Sequence, residues 1–87
     1  MNKIEFFTND RYLVLKTLYE HQIEINNAEI CPITQQEIAD NLGCSKAKVN
    51  MVLNELIHNG YVQIYKNTKG RYVLTEDAKK IMKKLKS

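Results

Sequence analysis

The 87 residues include 44% hydrophobic and 26% charged side chains, with three glycines and one proline, proportions that exclude collagen-like, low-complexity and intrinsically disordered classes. The longest aliphatic and aromatic run, Tyr12 to Leu15, is far too short to span a bilayer, and MNKIEFF lacks the apolar stretch of a secretory signal, so a cytoplasmic location is expected. Net charge is +3, but residues 1–44 hold three basic and seven acidic side chains while residues 45–87 hold ten basic and three acidic, and such a basic half is the footprint of a polyanion binder.

The size predicts one domain over residues 1–87, with about 60–65% of the unfolded chain's surface buried on folding. Thr8, Asn9 and Asp10 offer N-cap oxygens for a first helix, whose stripe of Leu13, Val14, Leu15, Leu18 and Tyr19 runs to about His21. IEINNAEICPI has no readable period, and Pro32 followed by Ile33 predicts a loop leading into a short extended piece. Thr34-Gln-Gln-Glu37 is a capping box for a second helix with Ile38, Ala39 and Leu42 on one stripe. Gly43 then permits a turn with positive φ, and Ser45 caps a third helix carrying Val49, Val52, Leu53, Leu56 and Ile57, with a stop at Asn59-Gly60.

Past Gly60 the period changes from helical to alternating. YVQIYK, NTKG and RYVL read as two strands joined by a polar loop. Thr75 caps a last helix with Glu76 and Asp77 in its first turn, lysines in its last turns and Ala78, Ile81, Met82 and Leu85 on its stripe. Each of these charges suits the helix dipole.

The third helix breaks that rule at its start, where Lys46 and Lys48 add positive charge to an already positive helix end. A local rule broken at one place marks a functional candidate. With the aliphatic stripe turned inward, the 100° step per residue turns Ala47, Met51, Asn54 and His58 outward, with Lys48 and Asn50 on the flanks. Asn can pair with adenine N6 and N7, and Ala or Met can contact a thymine methyl, so this face suits the major groove.

The order helix, short strand, helix, tight turn, helix, hairpin, helix resembles a winged helix-turn-helix domain over almost the whole chain. Its most specific part is Gln35 to Val52: Ile38 apolar, Ala39 small where two helices cross, Leu42 apolar, Gly43 at the turn, then Val49 and Val52. The tail YVLTEDAKKIMKKL is similar to the LTxxG-type segment of MarR-like regulators, with Ala78 at the glycine position. The resemblance implies an α+β winged helix: a three-helix core with a helix-turn-helix, a β-hairpin wing and a C-terminal helix.

It further implies a regulator, from a bacterium or its mobile elements, that binds double-stranded DNA and needs no cofactor. Helix 45–59 would read the major groove through Ala47, Asn50, Met51 and Asn54, with hairpin 61–74 as the wing. Thr34, Gln35, Ser45, Lys46 and Lys48, together with Lys66, Asn67, Lys69 and Arg71 on the hairpin, would hold the DNA backbone. Single domains of this size give thin interfaces, so a homodimer is expected, with Ile4, Phe6, Phe7, Ile81, Met82 and Leu85 as its candidate contacts. The alternative is a winged helix used as a protein-docking module, marked by an apolar patch around Met51.

Other chemistry finds no support. Cys31 and Cys44 form no CxxC or Cys/His pattern, so reduced thiols are expected, Cys44 as packing and Cys31 in a loop without an activator. His21 reads as a helix-end residue and His58 as an exposed one. No nucleophile–base pair, phosphate-cradling glycine loop or metal spacing occurs, and no enzyme is expected.

Overall fold

The computed structural model describes residues 10–68 and 70–86, with the side chains of Leu85 and Lys86 outside the description. In chain order the elements are α1 (Asp10–Glu20), β1 (Ile23–Ile25), β2 (Ala28–Ile30), α2 (Gln35–Leu42), α3 (Lys46–His58), β3 (Val62–Ile64), a 3-10 turn (Tyr65–Asn67), β4 (Tyr72–Leu74) and α4 (Glu76–Lys86). The arrangement is the α+β winged helix that the sequence predicts.

Thr8 and Asn9, expected as caps of α1, lie outside the described residues, and α1 begins at Asp10. Its inner face buries Val14, Leu15 and Leu18. Thr17 is buried with them, its hydroxyl donating to the Leu13 carbonyl at 2.9 Å, which satisfies the one polar group on that face.

The stretch after α1 corrects the expected loop. Ile23–Ile25 and Ala28–Ile30 pair antiparallel, with Ile25 opposite Ala28, so Asn26 and Asn27 form a two-residue turn with φ of 50° and 66°. Asparagine tolerates that left-handed pair, which matches the twist of a tight hairpin. Alternation over three residues a side was too short to read as strands. Beyond β2, Cys31 and Tyr72 exchange backbone hydrogen bonds of 2.7 and 3.1 Å, so this hairpin is tied to β4, the second strand of the wing.

α2 and α3 begin as predicted. The Thr34 hydroxyl accepts the Glu37 N–H at 3.1 Å while the Thr34 N–H donates to the Glu37 carboxylate at 3.0 Å. These bonds, the backbone one foremost, hold the Glu37 carboxyl below the usual carboxylate range. Gly43 closes α2 at φ 68°, and its N–H and that of Cys44 both reach the Ala39 carbonyl. Ser45 then caps α3, its hydroxyl accepting the Lys48 N–H at 3.1 Å.

The core lies where α1, α2, α3, the wing strands and α4 meet. From α3 it takes Val49, Val52, Leu53 and Leu56, all 3% exposed or less, and from the wing Val62, Tyr72 and Leu74. α4 seals it with Ala78 and Met82, both fully buried. Met82 is therefore corrected from a dimer candidate to a core residue: α4 folds back on α1 and spends its apolar stripe there. Ile81 packs half-buried at the edge of the same core. The Leu85 side chain, Ile4, Phe6 and Phe7 lie outside the described residues.

Cys31 is corrected from a loop thiol to a fully buried one. Burial, with a smaller contribution from nearby Glu29, pushes its pKa up to about 12. Because the folded value is raised, the stability it contributes is complete below the unfolded value, near 8.5, and is lost as pH climbs towards the folded one. At pH 8 burial therefore keeps Cys31 as the thiol, whereas the thiolate is the reactive form. Native protein treated with iodoacetamide at pH 8 is expected to label at half-buried Cys44 and not at Cys31, and mass spectrometry finding equal labelling would contradict this burial.

Candidate nucleic-acid interface

α3 presents one aliphatic face to the core and one polar face to solvent. Ala47, Asn50, Met51, Asn54 and His58 are all exposed, Met51 at 55%, which places the four expected base-reading residues together on one outer strip. The strip is ordered by a run of side-chain amides. Asn54 Nδ2 donates to Asn50 Oδ1 at 3.2 Å, and Asn50 Nδ2 donates to Gln35 Oε1 at 3.2 Å, so the run crosses from α3 to the first residue of α2.

The two N-terminal lysines of α3 have different surroundings. Lys48 Nζ lies 2.9 Å from the Asp10 carboxylate at the start of α1, with both side chains roughly half exposed. That hydrogen bond, and then the charge behind it, raises the ammonium above its ordinary pKa. Part of the misplaced positive charge is thus offset by α1, a compensation invisible in the local sequence. Two turns further along α3, Glu55 is ion-paired with Arg11. Exposed pairs add little stability; their consequence is that Lys48 and the Glu55 carboxylate are both turned towards α1, while Lys46 lies on the opposite side of the helix and lines a groove.

That groove, about 570 Å³, separates α3 from the wing. Thr34, Gln35 and Gln36 at the start of α2 and Lys46, Asn50 and Asn54 of α3 supply its polar walls, with Leu53, Ile57, Ile64 and Tyr72 beneath. Gly70 closes the wing side at φ 81°, and a β-carbon there would stand 3.2 Å from the Thr34 methyl, so the wing is seated on the cap of α2. Lys66, Asn67 and Arg71 are exposed, the first two with left-handed backbone at the hairpin tip, and Lys69 lies outside the described residues. Of the backbone-contact candidates, Thr34, Gln35 and Lys46 line this groove, Lys48 is turned away towards α1, and Lys66, Asn67 and Arg71 are exposed on the wing. Ser45 and Thr34 already use their hydroxyl oxygens as cap acceptors, which leaves their O–H groups as donors.

Sequence reasoning missed two participants and one bond. Asp10 was read only as a cap, Ile64 as an ordinary strand residue although it is 46% exposed beside the groove, and Gln35, expected to hold the DNA backbone, was not joined to Asn50, which it bonds. No local signal marks contacts between such distant positions. Among the described residues no cluster of metal-ligating side chains occurs, and no helix is long and apolar enough to cross a membrane.

Two helices joined at a left-handed glycine, a polar outer face on the second and a hairpin seated beside it define a winged helix-turn-helix domain, the DNA-binding class of transcription regulators. The model of the family described as the Crp-like helix-turn-helix domain matches residues 11–84. The chain belongs to that family, and the comparisons do not single out MarR-like regulators, which its tail resembles.

Among solved structures, the chain is similar to a transcriptional regulator of the CRP/FNR family from Thermus thermophilus, at 20% identity and a TM-score of 0.68, over 92% of this chain and 44% of that one. It is also similar to the CO-dependent transcription factor CooA from Carboxydothermus hydrogenoformans in its imidazole-bound form, at 17% identity and a TM-score of 0.61, over 88% of this chain and 37% of the other. At these identities the likeness is one of fold, and this chain spans less than half the length of either neighbour. No curated protein sequence matches it.

Proposed function

We propose that this chain is the sequence-reading part of a bacterial or mobile-element transcription regulator, acting in the cytoplasm as a symmetric homodimer on a near-palindromic duplex site. The observation that carries the reading is the groove that Gln35 of α2 and Lys46, Asn50 and Asn54 of α3 share with Ile64, Gly70 and Tyr72 of the wing, beside the exposed outer strip of α3. α3 enters the major groove, Ala47, Asn50, Met51 and Asn54 meet base edges, and Lys46, Lys66 and Arg71 meet phosphates. Backbone N–H groups at the start of α3 add to the attraction for phosphate. One domain of this size buries only about 600–1,000 Å² on DNA, which favours paired half-sites about one helical turn apart. The amide-bearing strip with Lys46 at its rim supports DNA over a protein-docking module, which calls for a continuous apolar patch around Met51.

Salt-dependent binding to duplex DNA tests this. Lys46→Ala is expected to weaken binding on all sequences and to reduce the slope of log affinity against log salt by about one unit. Asp10→Asn releases Lys48 from its carboxylate and is expected to strengthen binding several-fold at low salt, whereas Lys48→Ala weakens it. An unchanged slope in Lys46→Ala, together with no gain in Asp10→Asn, would turn this face away from DNA.

A further inference from the structure

We infer that Gln35, Asn50 and Asn54 form one reading unit that selects A·T base pairs, an inference that rests on the DNA-binding role of α3 and names the class of site it takes. The three side chains are joined by two hydrogen bonds of 3.2 Å, directed from Asn54 through Asn50 to Gln35. A primary amide holds two N–H donors and two acceptor lone pairs. The chain of bonds uses one donor of Asn54, one donor and one lone pair of Asn50, and one lone pair of Gln35. Asn50 therefore keeps one N–H and one lone pair, Asn54 one N–H and two lone pairs, and Gln35 two N–H groups and one lone pair, so each retains the donor and acceptor that pair with adenine N7 and N6 together.

The rest of the strip agrees. Guanine is best read by a forked cation and cytosine by a carboxylate. On α3 the Glu55 carboxylate is held by Arg11 and Lys48 by Asp10, and Lys46 lies at the helix start, beside the groove, where phosphate is the natural partner. His58 stands two turns beyond Met51, at the far end of the helix. What remains at the centre is amide and apolar: Asn50 and Asn54, with Ala47 and the exposed Met51 suited to the thymine methyl, the one apolar group that the major groove offers.

Gln35 thereby changes role. It is a base reader supplied by α2, and its bond to Asn50 fixes the rotamer of that asparagine before DNA arrives, so part of the ordering cost of binding is met in the free protein.

The test begins with selection of wild-type sites from a random 20-base-pair duplex pool, followed by replacement of each selected adenine in turn with 7-deazaadenine, which keeps pairing but removes N7. Enrichment of A·T pairs is expected, with a loss of about 10- to 100-fold in affinity at each contacted adenine. Asn50→Ala and Gln35→Ala are each expected to abolish sensitivity to at least one of those replacements while their thermal melting stays close to wild type. The double variant should lose less than the product of the two single losses. Selected sites dominated by G·C pairs, or a wild type indifferent to every 7-deazaadenine, would overturn the inference, and if salt-dependent duplex binding persisted the DNA-binding role would stand without it. No binding to any duplex would overturn both.

Discussion

Leu56→Ala is expected to destabilise the protein by about 2–5 kcal/mol, the largest loss of any single change considered. Leu56 is fully buried on the inner face of α3, within the cluster that α1, the wing and α4 also enter. Removing three carbon atoms there loses their transfer from water and leaves a cavity in the core that the surrounding structure closes only in part. A domain of this size has about 5–10 kcal/mol to lose, and each kcal/mol moves the melting midpoint by about 4–8 °C. The midpoint should therefore fall by at least about 8 °C. Met51→Ala on the opposite face of the same helix is the control: with Met51 half in solvent, stability should change by less than about 0.5 kcal/mol while binding to a selected site weakens. Equal melting curves for the two variants would contradict the assignment of inner and outer faces.

The second large effect is expected at Ala39→Leu. Ala39 is fully buried on α2, the helix that packs most closely on α3, and its carbonyl accepts the Gly43 and Cys44 N–H groups that close the turn. A leucine there inserts three carbons at the helix crossing, a strain of about 1–3 kcal/mol, and the relief available is to push α3 away. Duplex binding should then fall by more than the stability loss accounts for, because a displaced α3 misaligns Asn50 with Gln35. Circular dichroism melting beside fluorescence anisotropy on a labelled duplex separates the two losses. A variant that melts and binds like wild type would show that the crossing has room to spare.

Much of this was legible because the signals are local. Thr34 with Glu37, Gly43 and Ser45 each act within four residues along the chain, so the start of α2, its end and the start of α3 follow from side-chain and backbone chemistry that no distant contact alters. The inner face of α3 was equally clear, since the aliphatic stripe from Val49 to Ile57, repeated over about two and a half turns, admits one arrangement. The Asn26-Asn27 hairpin was missed because its strands are three residues long, too short for a period to stand out from chance.

By itself, the sequence determined the helices, the caps at Thr34, Ser45 and Thr75, the glycine turn and which side of α3 faces water, because each depends on neighbours within about one helical turn. Tertiary structure alone decided that Asp10 holds Lys48, that Gln35 joins Asn50, that Cys31 pairs with Tyr72 and that Met82 closes the core instead of facing a partner. In each case residues far apart in the chain meet because buried apolar surface brings their elements together. The hydrophobic drive that packs them is non-directional, so no local pattern records which polar or apolar groups will become neighbours.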